Sequence, residues 1–358
     1  MLRPTRIEGL DLVRGLAILL VMIRHGWAED VGGAGIVGVV MFFALSGYLI
    51  TGVLLGQVER AGRPDFGRFY RDRAVRLLPA MVFMLGAFSV AVLTVDIGGD
   101  RDRWLASVIV ALTYTADVPA FVAHASPALG HLWTLAVEEQ FYVLWPLLLL
   151  VWIRRGRRGT RLAVLLLGLY ASSFVGVVAV DEPRDAYVLP TSWAFVLLLG
   201  ASARLYQDRV AAVLPCHGQA RTTASLIALG VLLSIAFAPV LKSWLVTYLL
   251  LGPLIAAATI VLVFHLRDWR TVSGRWRPLL WLGTVSYAAY LWNGVFAVWL
   301  GGPTMNLSWW QSLVSIALTL VAAQVSLVVV ERPARRWKSK DGVHARAGSR
   351  PPGVAVSA

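Results

Sequence analysis

The sequence predicts an all-α fold: a polytopic transmembrane bundle of about ten spanning helices plus one re-entrant or interfacial segment, with both termini cytoplasmic. Three observations carry this. Of the 358 residues, 58% are hydrophobic and only 15% charged, more apolar side chain than a water-facing surface can hide. Apolar runs of about 18 to 23 residues recur along the chain, each long enough to cross a hydrocarbon layer of about 30 Å. The third observation is where the Lys and Arg residues fall between those runs.

The runs place spans near 10–27, 36–56, 77–97, 131–153, 161–180, 189–206, 224–239, 244–265, 279–301 and 308–330. With these bounds, 27 of the 33 Lys and Arg residues lie on one set of connecting segments and only Arg101, Arg103, Arg184 and Lys242 on the other. That asymmetry is the positive-inside pattern and puts the basic side in the cytoplasm. It accounts for most of the net charge of +13 without a nucleic-acid partner. The stretch 104–122 breaks the alternation. As an eleventh span it would turn the five arginines of 154–161 outward, so it is read as re-entrant or interfacial, leading into a loop over 117–130.

Residues 1–338 form one membrane domain, and the Gly-, Ser-, Pro- and charge-rich stretch 339–358 reads as a disordered cytoplasmic tail. A single cysteine, Cys216, excludes a disulfide within the chain. The six histidines lack HExxH or paired ligand spacing, so no metal site is expected. Asp11, Arg14, Arg24 and His25 interrupt the first apolar run, unlike the core of a cleavable leader.

Ionisable groups inside spans are costly and mark function. Arg14 and His25 are eleven residues apart in the first span. On a helix they share a face to within about 20° and stand about 16 Å apart along the axis. One stripe thus carries an anion holder near one end and a proton acceptor near the other. Alternatively, both snorkel to opposite headgroup layers. Arg73 and Arg76, at i and i+3, share a face at the cytoplasmic mouth, where guanidinium forks suit phosphates. Ordinary inside-positive charge is the plainer reading of either one. Glu138, Glu139 and Gln140 stand within the fourth span. Either acid could reach His25, or they could hold helices together through an Arg–Glu pair. Ser46-Gly47 suits close helix packing more readily than nucleophilic attack.

Six motifs then occur in order: the Arg14-to-His25 spacing, FALSGYLI over 43–50, Arg73-x-x-Arg76, HLWTLAVEEQFYVLWP over 131–146, LGTVSYAAYLWN over 282–293, and ERPAR over 331–335. Together, across about 8–336, they resemble the acyltransferase-3 family of membrane proteins, which acylate surface polysaccharides, lipid-linked glycans and some macrolides. The resemblance implies a multi-pass protein of the inner (cytoplasmic) membrane. It implies acyl-CoA, commonly acetyl-CoA, as donor and a hydroxyl of a carbohydrate-containing acceptor. It makes His25 the catalytic base, with Glu138 or Glu139 assisting it. Arg14, Arg73 and Arg76 become the donor-phosphate site, and Ser46, His131, Trp133, Tyr287 and Asn293 candidate substrate-binding groups. One departure is Asn293, which stands where the family often has His. No appended soluble esterase-like domain is evident. The competing expectation is a glycan or antibiotic exporter, which would more often show inverted repeats; no internal repeat is visible.

Overall fold

The structure is a computed structural model, and it describes residues 7–27, 30–154, 159–179, 185–215, 217–238 and 245–337. Cys216, Arg184, Lys242 and the tail 339–358 lie outside the described residues. Among the described residues, ten long helices fill the expected spans: α1 (Glu8–Gly26), α2 (Ala34–Ala61), α3 (Phe66–Val95), α6 (Trp133–Arg154), α7 (Gly159–Val178), α8 (Pro190–Leu205), α10 (Gly218–Ala236), α11 (Gly252–Leu266), α12 (Arg277–Gly301) and α13 (Trp309–Ser326). Short helices α4 (Trp104–Leu112), α5 (Pro119–Val122) and α9 (Gln207–Val213) complete the set, and the described residues contain no strand.

Eight stretches among the described residues are long and apolar enough to cross a membrane; α1 and α12 are not among them. The reason is their position. They pack on each other, with α2 and α13 on either side, and most of their residues are buried. A helix enclosed by protein can carry Asp11, Arg14 or Asn293, whereas a lipid-facing helix cannot. The peripheral helices behave as expected: α6 exposes Val143, Leu144, Leu147 and Leu148, α7 exposes Val164 and Leu167, and α10 exposes Leu226 and Ile227.

Helices meet closely where glycine replaces a side chain. A Cβ on Gly283 would stand 1.9 Å from the Asp11 carbonyl oxygen, and one on Gly15 would stand 2.1 Å from that of Leu279. The α1–α12 seam is therefore built backbone on backbone. Gly47 and Gly200 do the same for α2 and α8, with clearances of 1.9 and 2.0 Å from Leu197 and Ala44 carbonyl oxygens.

The segment 104–122 does not span. Helix α4 has nine residues, about 14 Å of rise, less than half the hydrocarbon thickness. It is tied down by polar contacts. The Ser126 amide donates to Ser107 Oγ at 2.7 Å, Ser126 Oγ donates to Asp100, and Gln140 Nε2 donates to Asp117 Oδ2 at 2.8 Å. A turn of 3-10 helix, Pro127–Leu132, then feeds α6. Two π-helical segments, Thr247–Leu251 before α11 and Leu327–Glu331 after α13, alter the helical phase. The second turns Glu331 into the bundle, where it is 3% exposed.

Candidate active site

Two polar clusters stand at opposite ends of α1. At one end Arg14 donates to Asp11 Oδ1 at 2.8 Å, an i,i+3 pair with the buried Asp11. From α3, Arg73 donates to Glu139 Oε1 at 2.9 Å and lies over the Tyr142 ring, 3.4 Å from its centroid. Beyond α13, Arg335 pairs with Glu331 at 2.7 Å. Arg76 has no ion pair or hydrogen bond among the described residues, and the guanidiniums of Arg14, Arg73 and Arg335 stand near enough to repel it. Asp72 and Glu138 also line this region, so the arginines are not in excess over the acids. What distinguishes Arg76 is that no carboxylate pairs with it among the described residues. Its guanidinium is therefore the one in this cluster left available to an anionic group.

These groups line two adjoining cavities. One, of about 340 Å³, is walled by Asp11, Arg14, Asp72, Arg76, Tyr287, Glu331 and Arg335. The other, of about 280 Å³, shares Arg14, Arg76 and Tyr287 with it and adds Ser46, Arg73, Glu138 and Tyr142. Along its side runs a hydroxyl line. Ser46 Oγ is bonded to the Tyr142 hydroxyl, which donates to Glu138 Oε2 at 3.1 Å. Glu138 and Tyr142 are i and i+4 on α6, so one helix face presents both.

At the far end of α1, His25 Nδ1 lies 2.6 Å from Asn293 Oδ1. The Thr319 hydroxyl donates to the Ser315 carbonyl at 2.7 Å and leaves its lone pairs to Asn293 Nδ2 at 3.4 Å. That contact orients the amide with its oxygen toward the imidazole. An amide oxygen can only accept, so this bond puts the proton on Nδ1 and the lone pair on Nε2. His25 lines a third cavity of about 310 Å³, with Arg24, His131, Trp133 and Tyr290 in its wall. Val39 and Tyr290 line both this cavity and the 280 Å³ one. The Tyr290 hydroxyl sits at that junction, donating to the His131 carbonyl and accepting from Thr134, each at 2.6 Å.

The expected site residues are thus divided between two ends. Arg14, Arg73, Arg76, Ser46 and Tyr287 gather at one, and His25, His131 and Trp133 at the other. The expectation that Glu138 or Glu139 reaches His25 requires correction. Glu139 is taken by Arg73, the interhelical pair considered from the sequence, and Glu138 by Tyr142. The physical reason is depth. His131, in the His25 cavity, precedes Glu138 by seven residues, about 10 Å of helix. Asn293 also moves. It is 1% exposed, outside the cavity wall, and supports the imidazole instead of meeting an acceptor. Tyr287 donates to the Leu77 carbonyl at 3.2 Å. His131 is held against α12, with Nε2 3.1 Å from the Leu291 carbonyl oxygen, at a spot where only Gly294 leaves room for its ring. Sequence reasoning missed Tyr142, Tyr290 and Asp11. The i+4 relation of Tyr142 to Glu138 and the i−3 relation of Asp11 to Arg14 were the available signals.

The profile of the family described as an acyltransferase domain matches residues 7–328. The chain belongs to the acyltransferase-3 family. Among curated acyltransferase-3 relatives, it is 30% identical over 362 residues to YrhL of Bacillus subtilis, a candidate peptidoglycan O-acetyltransferase, covering 92% of this chain and 55% of that one. It is 28% identical to the peptidoglycan O-acetyltransferase OatA of Listeria monocytogenes, covering 92% and 56%. With the O-acetyltransferase OatA of Staphylococcus aureus the figures are 27%, 94% and 58%. The chain therefore spans little more than half the length of these relatives. No solved structure matches it significantly.

Proposed function

We propose that the protein is a membrane O-acetyltransferase, moving an acetyl group from acetyl-CoA to a hydroxyl of a cell-envelope glycan. The observation that carries this reading is the alignment of three cavities. An arginine-lined pair of them at one end of α1 adjoins, through Val39 and Tyr290, the cavity lined by His25.

In this reading the arginine end opens to the cytoplasm of the inner membrane, and both termini lie on that side. Arg76, with Arg14 and Arg73, holds the donor phosphates. The Ser46–Tyr142–Glu138 line offers donors and acceptors to the amides of the pantetheine arm, and the thioester reaches toward His25. His25 Nε2 takes the acceptor hydroxyl proton as that oxygen attacks the thioester carbonyl carbon. The tetrahedral intermediate collapses with cleavage of the C–S bond, and the imidazolium returns the proton to the departing thiolate. Asn293 stabilises the imidazolium by accepting from Nδ1–H throughout, the role that a carboxylate fills in a serine triad. An amide carries no charge to offset the imidazolium, so Asn293 acts through orientation more than through electrostatics. The peptidoglycan named for the relatives motivates the glycan acceptor.

The test uses detergent-solubilised protein, radiolabelled acetyl-CoA and envelope glycan fragments. Label enters the glycan with wild type, and His25→Ala lowers the rate by at least a thousandfold. Equal labelling with and without His25 would overturn the reading and leave the exporter expectation standing.

A further inference from the structure

The His25 cavity contains a cation that the acyl-transfer chemistry above does not use. Arg24, the residue before His25, is half-buried in its wall. Its Nε is buried without a hydrogen-bond partner, and no carboxylate pairs with it among the described residues. The titratable group beside it in this wall is the Tyr187 hydroxyl, which is uncharged at neutral pH. No Asp or Glu lines this cavity, whereas His25, His131 and Arg24 all do. A guanidinium half removed from water without a counter-ion is costly, and such a site gains from an anion.

The surroundings make room for Arg24 specifically. A Cβ on Gly35 would come within 2.8 Å of Arg24 Cγ, so the first turn of α2 is cut away along the arginine stem. That turn lines the same cavity through Gly35, and Gly32, just ahead of the helix, lines it as well. It belongs to a 28-residue helix whose N-cap, Gly33, offers no side-chain cap. The positive end of the α2 dipole therefore reinforces Arg24. The volume, about 310 Å³, lies at the small end of the range for small-ligand sites.

We infer that the His25 cavity selects an acceptor carrying an anionic group, a carboxylate or a phosphate, close to the hydroxyl that is acylated, and that Arg24 is the residue that reads it. This rests on the acyl-transfer reading for the identity of the second substrate, but its test does not depend on turnover.

Binding of three probes is measured by thermophoresis at low ionic strength: an oligogalacturonate, its methyl ester as an uncharged match, and a polyisoprenyl phosphate. Wild type should bind at least one acid, and bind it at least tenfold tighter than the ester. Arg24→Gln should erase that preference and Arg24→Lys should retain part of it, with melting temperatures confirming that each variant is folded. Arg24-dependent binding of the oligogalacturonate assigns a sugar acid, and Arg24-dependent binding of the polyisoprenyl phosphate assigns a lipid-linked acceptor. Equal binding of acid and ester to wild type, no binding of either acid, or an acid preference that survives in Arg24→Gln overturns the inference. His25→Ala separates this from the catalytic reading: it should lose transfer yet keep the Arg24-dependent preference.

Discussion

At the residue scale, the proposed chemistry depends on which nitrogen of His25 carries a proton, and the contact with Asn293 fixes that. Asn293→Leu removes the acceptor for Nδ1–H and is expected to lower kcat by about 10- to 100-fold, a loss of roughly 1.4 to 2.7 kcal/mol of barrier lowering. KM for acetyl-CoA should stay within about twofold, because Asn293 lies far from the arginines. Steady-state kinetics checks both. The two adjacent glutamates should separate. Glu139→Gln leaves Arg73 half-buried without its ion pair and is expected to destabilise the protein by about 2 kcal/mol, read from a thermal melt. Glu138→Gln should instead raise KM for the donor with little change in melting temperature. Much of this site is legible in the sequence. The Arg14–His25 stripe follows from 100° per residue, and Arg73 and Arg76 follow from i,i+3 spacing. The partners do not follow. Whether Glu138 or Asn293 reaches His25 depends on the relative heights of α1, α6 and α12, which no single helix encodes.

At the element scale, the seam between α1 and α12 positions everything at both ends of the conduit. Gly283 allows α12 to approach the Asp11 carbonyl, and Asp11 in turn holds Arg14. Gly283→Val is expected to force the helices apart at a cost of about 3 kcal/mol or more. Gly86→Val on α3, where a Cβ meets nothing within 4 Å, should change the melting temperature little. Hydropathy identifies the lipid-facing helices well, because lipid demands apolar side chains around much of their circumference. It is weakest for α1 and α12, whose enclosure by protein relaxes that demand and lets function write polar residues into them. The break in charge alternation was enough to show that 104–122 does not span. The π-helical turn at Leu327–Glu331 had no sequence signal, yet it is what brings Glu331 to the arginines.

At the scale of the whole molecule, the proposed function has the protein join a donor site on one membrane face to an acceptor site on the other. The distribution of Lys and Arg predicts which face is which. With Cys216 replaced by Ser, a cysteine placed at Gly62 should be protected from a membrane-impermeant thiol reagent in intact cells, and one at Gly99 should be labelled. The reverse pattern would invert the topology. The claim on which the rest depends is that the two substrates meet from opposite sides of the bilayer at His25. The measurement that tests it most directly is acetyl transfer in proteoliposomes of uniform orientation, with labelled acetyl-CoA confined to one side and glycan acceptor to the other. Label should cross to the acceptor only when acetyl-CoA is on the arginine side, and only with His25 intact. Transfer that requires both substrates on the same side, or that proceeds at the wild-type rate in His25→Ala, would contradict it.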